Sequence, residues 1–547
     1  MRRARLLLVA VVAVMACGGA RPAPPVPPLS RAAYAHYLDG KLHAYREEWP
    51  AAAVSLAAAA KAAPDQPLVA VELARAQQHA KHDALARTTL EAARKQWPNH
   101  PHVWVASGDL LARTDRVQAI AAYRRAIELE PSEDRAYLGL AKLESETPAL
   151  ATLRRLVARV PASVDGHYLL GQRLVATDRD AAIAQLRAVL ELDPDHIDAR
   201  IDLARVLRLQ GKLPAAIVET RSAFDRSGQA LELAEELFWL LCEADDRTSA
   251  IDLLTLLDDD HSDNDALATV ARLDRTLGRL DDARAIATRI AKTDVVAGAL
   301  VLAEVELAAG DHEAAAKRAL AVADTAEPFV DARRLAAQAL LAAEAPQRAL
   351  DALAPARARK PDSIELATIA AFALVDLGKR ADATALLAGF GDKPAAIFAR
   401  ARLADHAGDA DGALALVEPL ARAKPDLVAA QNLAGYLLAD RAQRLGDAER
   451  YLKRARELAP GDPAVIDSWG WYLLRSDRRR EAIHALDLAA RISPREPEIL
   501  LHLATAWLAD KAPRTALALL DRAAGLKPSR AVRRRIDALR STLAPGR

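Results

Sequence analysis

Proline returns along this chain with a period near 34 residues, and no other feature limits the fold so strongly. Pro64, Pro98, Pro131, Pro161 and Pro194 are followed, after 134 residues, by Pro328, Pro361, Pro394, Pro425, Pro460, Pro494 and Pro528. The gap holds four more periods, in which Gly228, His261 and Asp294 stand where proline is missing. A period of this length, held from start to finish, marks a helical repeat array in which each helix pair buries its apolar face against its neighbours. The array also resolves a problem of size. At 547 residues the chain exceeds the roughly 250–300 residues that a single core can reach. Aromatics are scarce (Trp 7, Tyr 9, Phe 6), which suits closely packed helices better than sheets.

The repeating unit is clearest from Gly461 to Pro494. Ile466, Trp469, Gly470 and Leu473 share one face of a first helix, and Ala482, Leu486 and Ala489 share one face of a second. Small residues stand where the two helices must touch, and proline stops the second because it cannot continue the hydrogen-bond ladder. Trp104 and Gly108, Tyr137 and Leu140, and Leu170 and Gly171 repeat parts of this pattern. Gly40, Ala52, Leu56, Ala59 and Pro64 place a unit as early as residue 31. The pattern resembles the tetratricopeptide repeat (TPR) family, whose signature is W-x₂-L-G-x₂-Y followed by Ala, an aromatic, Ala and Pro. The resemblance implies an all-α, right-handed superhelical solenoid of about fifteen helix pairs over residues 31–528. A basic capping helix over 529–547 would close it, with Ser529 as its cap. The units at 195–330 keep the period but are degenerate in signature, and are expected to open first.

The N-terminus has the form of an address. A basic Met1–Arg5 precedes an eleven-residue apolar run, Leu6 to Ala16, too short to be a permanent span. Val14-Met15-Ala16-Cys17 resembles the lipobox of bacterial lipoproteins, so residues 1–16 are expected to be a signal peptide and Cys17 the lipidated first residue. Gly18-Gly19, with no Asp after the cysteine, favours the outer membrane in that family. Residues 17–30 then form a proline-rich tether, extended at about 3.1 Å per residue. The segment 432–523, with Asn432–Arg441 and Asp467-Ser468-Trp469-Gly470-Trp471, resembles the paired signature of a group of proteobacterial TPR lipoproteins of the outer membrane.

Candidate chemistry is sparse. His79, His82, His100 and His102 crowd in sequence, but the register puts the two pairs at opposite ends of a helix about 20 Å long, so no shared metal site is expected. His312-Glu313 lacks the second histidine of a zinc helix. Asp258–Asp265 lacks the Gly and Glu of a calcium loop and reads as an acidic turn in which Asp263 or Asp265 caps the next helix. Cys242, in an apolar helix, reads as a packed thiol. No phosphate loop, nucleophile elbow or Cys-x-x-Cys is present, so neither an enzyme nor a cofactor is expected. A formal charge of +1 removes the electrostatic case for nucleic acid. That sum conceals an asymmetry: residues 225–265 carry thirteen acids and two bases, residues 441–547 carry 22 bases and 13 acids.

The function implied is a non-enzymatic, lipid-anchored scaffold, facing the bacterial periplasm from the outer membrane, that binds protein or peptide partners. The alternative is an assembly lipoprotein of an exopolysaccharide export system. In the TPR family, first-helix positions 2, 5, 9 and 13 are among those that face the concave surface. Counting from Pro425 puts Asn432, Tyr436 and Asp440 there. Counting from Pro460 gives Asp467, Trp471 and Arg475, and from Pro494 Glu498 and Thr505. These eight residues are the expected peptide-binding stripe, with the Tyr436 and Trp471 rings on the open side. They lack the Lys/Asn clamp by which some family members hold a terminal carboxylate.

Overall fold

The structure, a computed structural model, describes residues 28–260 and 263–543. Cys17 and most of the proline-rich tether lie outside the described residues. Those residues form thirty-one helices, α1 to α31 in chain order, and no strand. Odd and even helices alternate as antiparallel pairs, fifteen in all, and α31 (Arg530–Leu543) closes the series. The chain divides into two compact units, 1–202 and 203–547. The first holds α1 (Arg31–Tyr45) to α10 (Arg179–Leu192), and the second holds α12 (Leu213–Arg226) to α31.

The proline period has a simple physical origin. The second helix of a pair stops two residues short of the proline: α2 ends at Ala62 before Pro64, α4 at Gln96 before Pro98, and α28 (Arg479–Ile492) before Pro494. Two prolines behave otherwise. Pro328 directly precedes α19 (Phe329–Ala342), and Pro394 is the first residue of α23 (Pro394–His406). Both follow second helices of only nine residues, α18 (His312–Leu320) and α22 (Arg380–Ala388), so a proline keeps the period while opening a helix, where its missing N–H costs nothing. Where proline is absent, Gly228 takes a left-handed φ of 71° after α12, and the Asp294 side chain accepts from the N–H groups of Val296 and Ala297 at the start of α17 (Val295–Ala309). His261 lies outside the described residues.

Pairs are held as the signature requires. In the pair of α27 (Pro463–Arg475) and α28, a Cβ at Gly470 would stand 2.6 Å from Leu486 Cγ, so only glycine allows this approach. Ala482, Leu486 and Ala489 are fully buried beneath it.

The second unit has an additional layer of contacts between segments some 190–250 residues apart. Arg208 donates to Glu457 O (2.6 Å), Arg247 to Arg491 O (2.8 Å), and Arg495 to Ala308 O and Ala309 O (both 3.2 Å). Arg491 pairs with Asp245 at 3.1 Å and Lys527 with Asp311 at 3.1 Å. Along this internal seam Asp245 of the acidic stretch meets Arg491 of the basic C-terminal stretch. Arginines there cap the carbonyl ends of helices, where a cation is favoured.

Candidate functional site

Within the second unit the first helices α21 (Ile364–Asp376), α23, α25 (Val428–Asp440), α27 and α29 (Pro497–Ala509) stand side by side. Residues at fixed positions along them form one continuous surface, because side chains four residues apart lie on the same helical face. One stretch of this surface is open and the other is sealed.

The open stretch is a groove over α21, α23 and α25. It contains a cavity of about 560 Å³ lined by Phe372, Phe398, Arg402, Asp405, His406, Val428, Asn432 and Leu433, among others. A second cavity of about 430 Å³ adjoins it and shares Phe372, Phe398 and Arg402. Phe372 is stacked on His406 with ring centroids 4.8 Å apart, and the Arg402 guanidinium lies 5.2 Å from the Phe372 ring. His406 is held by Asp376 at 2.8 Å. Asn432 Oδ1 is buried in the groove wall without a hydrogen-bond partner, an acceptor ready for an incoming N–H. Burial, then the carboxylates of Glu498 and Asp440, push the Asp405 carboxyl above its ordinary range.

The sealed stretch holds most of the expected stripe. Trp471, expected to lie open, is only 7% exposed. Its ring stacks on His502 (4.3 Å between centroids, 25° between planes), and its indole N–H donates to Asp440 Oδ1 at 3.0 Å. His502 is fully buried: Nδ1–H donates to the Asp467 carboxylate at 2.9 Å, and Nε2 accepts from Arg535 at 3.2 Å. Arg535 reaches in from α31 and also pairs with Glu498 at 2.9 Å. Tyr436 is half-buried, its ring 6.0 Å from that of His502. Burial and the neighbouring carboxylates of Glu498 and Asp440 push its phenol upward. Thr505 turns its hydroxyl back onto Leu501 O (2.8 Å), and Arg475 donates to Ala439 O at 3.4 Å. Asp440, Asp467, Trp471 and Glu498 thus gather around His502 and Arg535, and the Trp471 ring is engaged within the protein because a histidine from the next repeat occupies the space in front of it.

The register also explains what sequence reasoning missed. Phe372 is the ninth residue of α21, as Tyr436 is of α25 and Trp471 of α27; counting from Pro361 would have found it. Phe398, Arg402 and His406 are positions 5, 9 and 13 of α23, hidden because Pro394 starts its helix instead of preceding it. His502 occupies position 6 of α29, and Arg535 belongs to the capping helix, so neither is a stripe position.

The remaining candidates have ordinary roles. Asp263 caps α15 (Asn264–Thr276) by accepting from Ala266 N, and Asp258 pairs with Arg289 at 2.7 Å. Glu313 is paired with Arg348 at 2.7 and 3.0 Å. Cys242 is 3% exposed, and burial pushes its thiol to about 12, which leaves almost no thiolate at neutral pH. In the first unit His79 stacks on Trp49 at 4.1 Å, while His100 and His102 lie 5.5 Å apart at the next turn. No helix of the described residues is long and apolar enough to cross a membrane.

Antiparallel helix pairs with glycine-mediated packing, and in the second unit a grooved row of first helices, make the described residues an all-α, TPR-like repeat fold. Two segments, 173–223 and 468–531, match tetratricopeptide repeat family models. Over 185 residues the chain is 33% identical to a TPR repeat-containing protein of Pseudomonas aeruginosa, a match covering 32% of this chain and 30% of that protein. It is 34% identical over 142 residues to cellulose synthase operon protein C of Xanthomonas axonopodis pv. citri (24% of this chain, 9% of that protein). It is 28% identical over 251 residues to cellulose synthase 2 operon protein C of Komagataeibacter xylinus (44% and 17%). The matches thus span less than a third of each relative. Among solved structures, YrrB, described as a TPR protein with an unusual peptide-binding site, is 16% identical with a TM-score of 0.28, covering 33% of this chain and 96% of its own. The Cut9–Hcn1 hetero-tetramer gives 13% and 0.33, covering 94% and 97%. Likeness at that level says nothing of function.

Proposed function

We propose that this protein is a non-enzymatic scaffold of the bacterial cell envelope, anchored by a lipid on Cys17, that holds an extended protein segment in the groove between α21 and α27. The unpaired Asn432 Oδ1, buried beside the Phe372 and Phe398 rings, carries this reading. An extended peptide offers what such a wall lacks: a backbone N–H for the amide and apolar side chains for the rings. Arg402 and Asp405 stand beside them, able to meet charges of either sign on the segment. Phe372→Ala combined with Phe398→Ala should abolish partner capture in cells while helicity stays that of the wild type. Undiminished capture by that double variant would refute the groove. The anchor is tested separately: Cys17→Ser should move the protein from the membrane pellet to the soluble fraction, and a variant that remains in the pellet refutes the lipid.

A second reading, a scaffold within an exopolysaccharide export assembly, is favoured by the two cellulose synthase operon relatives. Deletion of the gene should then abolish polymer secretion without lowering polymer synthesis in membranes. Unchanged secretion would count against it.

A further inference from the structure

The first unit contains a cluster that the groove does not use. Three side chains converge where two successive inter-repeat turns meet, and a fourth, His100, stands beside them. His100 is the N-cap of α5 (Pro101–Leu111), and His102 lies in the first turn of that helix. Glu130 follows α6 (Arg116–Leu129), and Glu133 is the N-cap of α7 (Asp134–Leu143). Ligand atoms of His102, Glu130 and Glu133 all lie within 4.8 Å of one another. His102 Nδ1 stands 2.8 Å from Glu133 Oε2. His100, its ring 5.5 Å from that of His102, has a buried Nδ1 with no hydrogen-bond partner.

We infer that this cluster is a zinc site, with His102, Glu130 and Glu133 as ligands and His100 as the fourth. Imidazole and carboxylate are the donors a divalent zinc ion takes in tetrahedral sites, at about 2.0–2.2 Å. Such bond lengths put ligand atoms about 3.4 Å from each other, so small rotations bring His102, Glu130 and Glu133 onto one ion, and His100 would turn in as the fourth. Glu133 is 8% exposed and fixed between helices, whereas the His102 side chain is 44% exposed, so one wall is rigid and the other opens to solvent. That arrangement gives an ion a way in and out. Bound zinc ties the turn entering the third repeat to the turn entering the fourth, adding to the Arg135–Asp109 and Arg124–Glu144 pairs that already join these repeats.

The experiment uses the full-length protein and zinc chloride alone, titrated against a chromophoric chelator. One equivalent should bind, and Glu130→Gln should weaken it at least tenfold, as should His102→Ala. His79→Ala with His82→Ala, at the far end of α4 (Asp83–Gln96), should leave binding unchanged. Cobalt substituted for zinc should give the intense visible bands of a tetrahedral site in the wild type and lose them in Glu130→Gln. Glu130 is half-exposed, so this variant keeps the proposal testable should His102→Ala fold poorly. No binding by the wild type overturns the proposal. Equal binding by wild type and Glu130→Gln overturns it too, and so does affinity that follows His79 and His82.

Discussion

The row of first helices in the second unit runs from an open groove at Phe372 and Phe398 to a sealed wall at Trp471 and His502, although both ends are built from the same helix positions. Position 9 holds Phe372 in α21, Arg402 in α23, Tyr436 in α25 and Trp471 in α27. What separates the ends is the neighbour. Trp471 faces His502, an imidazole with partners on both nitrogens, and is covered. Phe372 faces His406, itself exposed, and keeps a cavity beside it. Repeat register thus decides which residues share a face, and the residues one repeat further on decide whether that face can take a ligand.

The sharpest contrast between the two ends is in stability. Trp471→Ala removes a buried ring, its stack on His502 and its hydrogen bond to Asp440, and should cost about 3–5 kcal/mol, seen as faster hydrogen exchange across α25 to α29. Phe398→Ala should cost about 1 kcal/mol or less, because the ring is half-exposed. Equal costs would erase the distinction. The next largest effect concerns what seals the wall. His502→Leu leaves the buried Asp467 carboxylate without the imidazole N–H and should cost about 2–3 kcal/mol. Asp467→Asn combined with it should recover part of that loss, and a double variant no better than the single one would show that packing alone closes this end.

The smallest effect links the two ends through charge. Asp405 in the groove has its carboxyl raised by burial and by Glu498 and Asp440 from the sealed side. For an acid raised in the folded state, the unfolded chain binds fewer protons in that window. The contribution favours the fold below the ordinary Asp range, near 3.9, and is lost as pH rises through the folded value. Asp405→Asn should therefore stabilise by a few tenths of a kcal/mol at pH 7 and by nothing near pH 3. An Asn variant less stable than wild type at pH 7 would place a compensating cation there.

Much of the fold was legible in the sequence because the repeat is punctuated by residues with one backbone meaning. Pro64, Pro98 and Pro494 stop helices, Gly470 permits a close approach, and fifteen pairs follow from the period. The groove was legible only as a face. Closure over Trp471 depends on His502 and on Arg535 from the capping helix, and the repeat signature specifies neither residue. The charge asymmetry was silent on its partners for a related reason. The counts at 225–265 and 441–547 carry no sign that Asp245 meets Arg491, or that Arg247 caps the last turn of α28 at Arg491 O. Contacts spanning some 190–250 residues leave no local trace.

A photo-crosslinking residue substituted for Phe398 in the full-length protein, expressed in its own cells, tests the groove most directly. The same probe in place of Leu517, an exposed second-helix position in α30 (Pro513–Gly525), serves as the comparison. The account predicts a discrete protein adduct from position 398, none from 517, and loss of the adduct when Asn432 is changed to Leu. Adducts from 517 with none from 398 would contradict it.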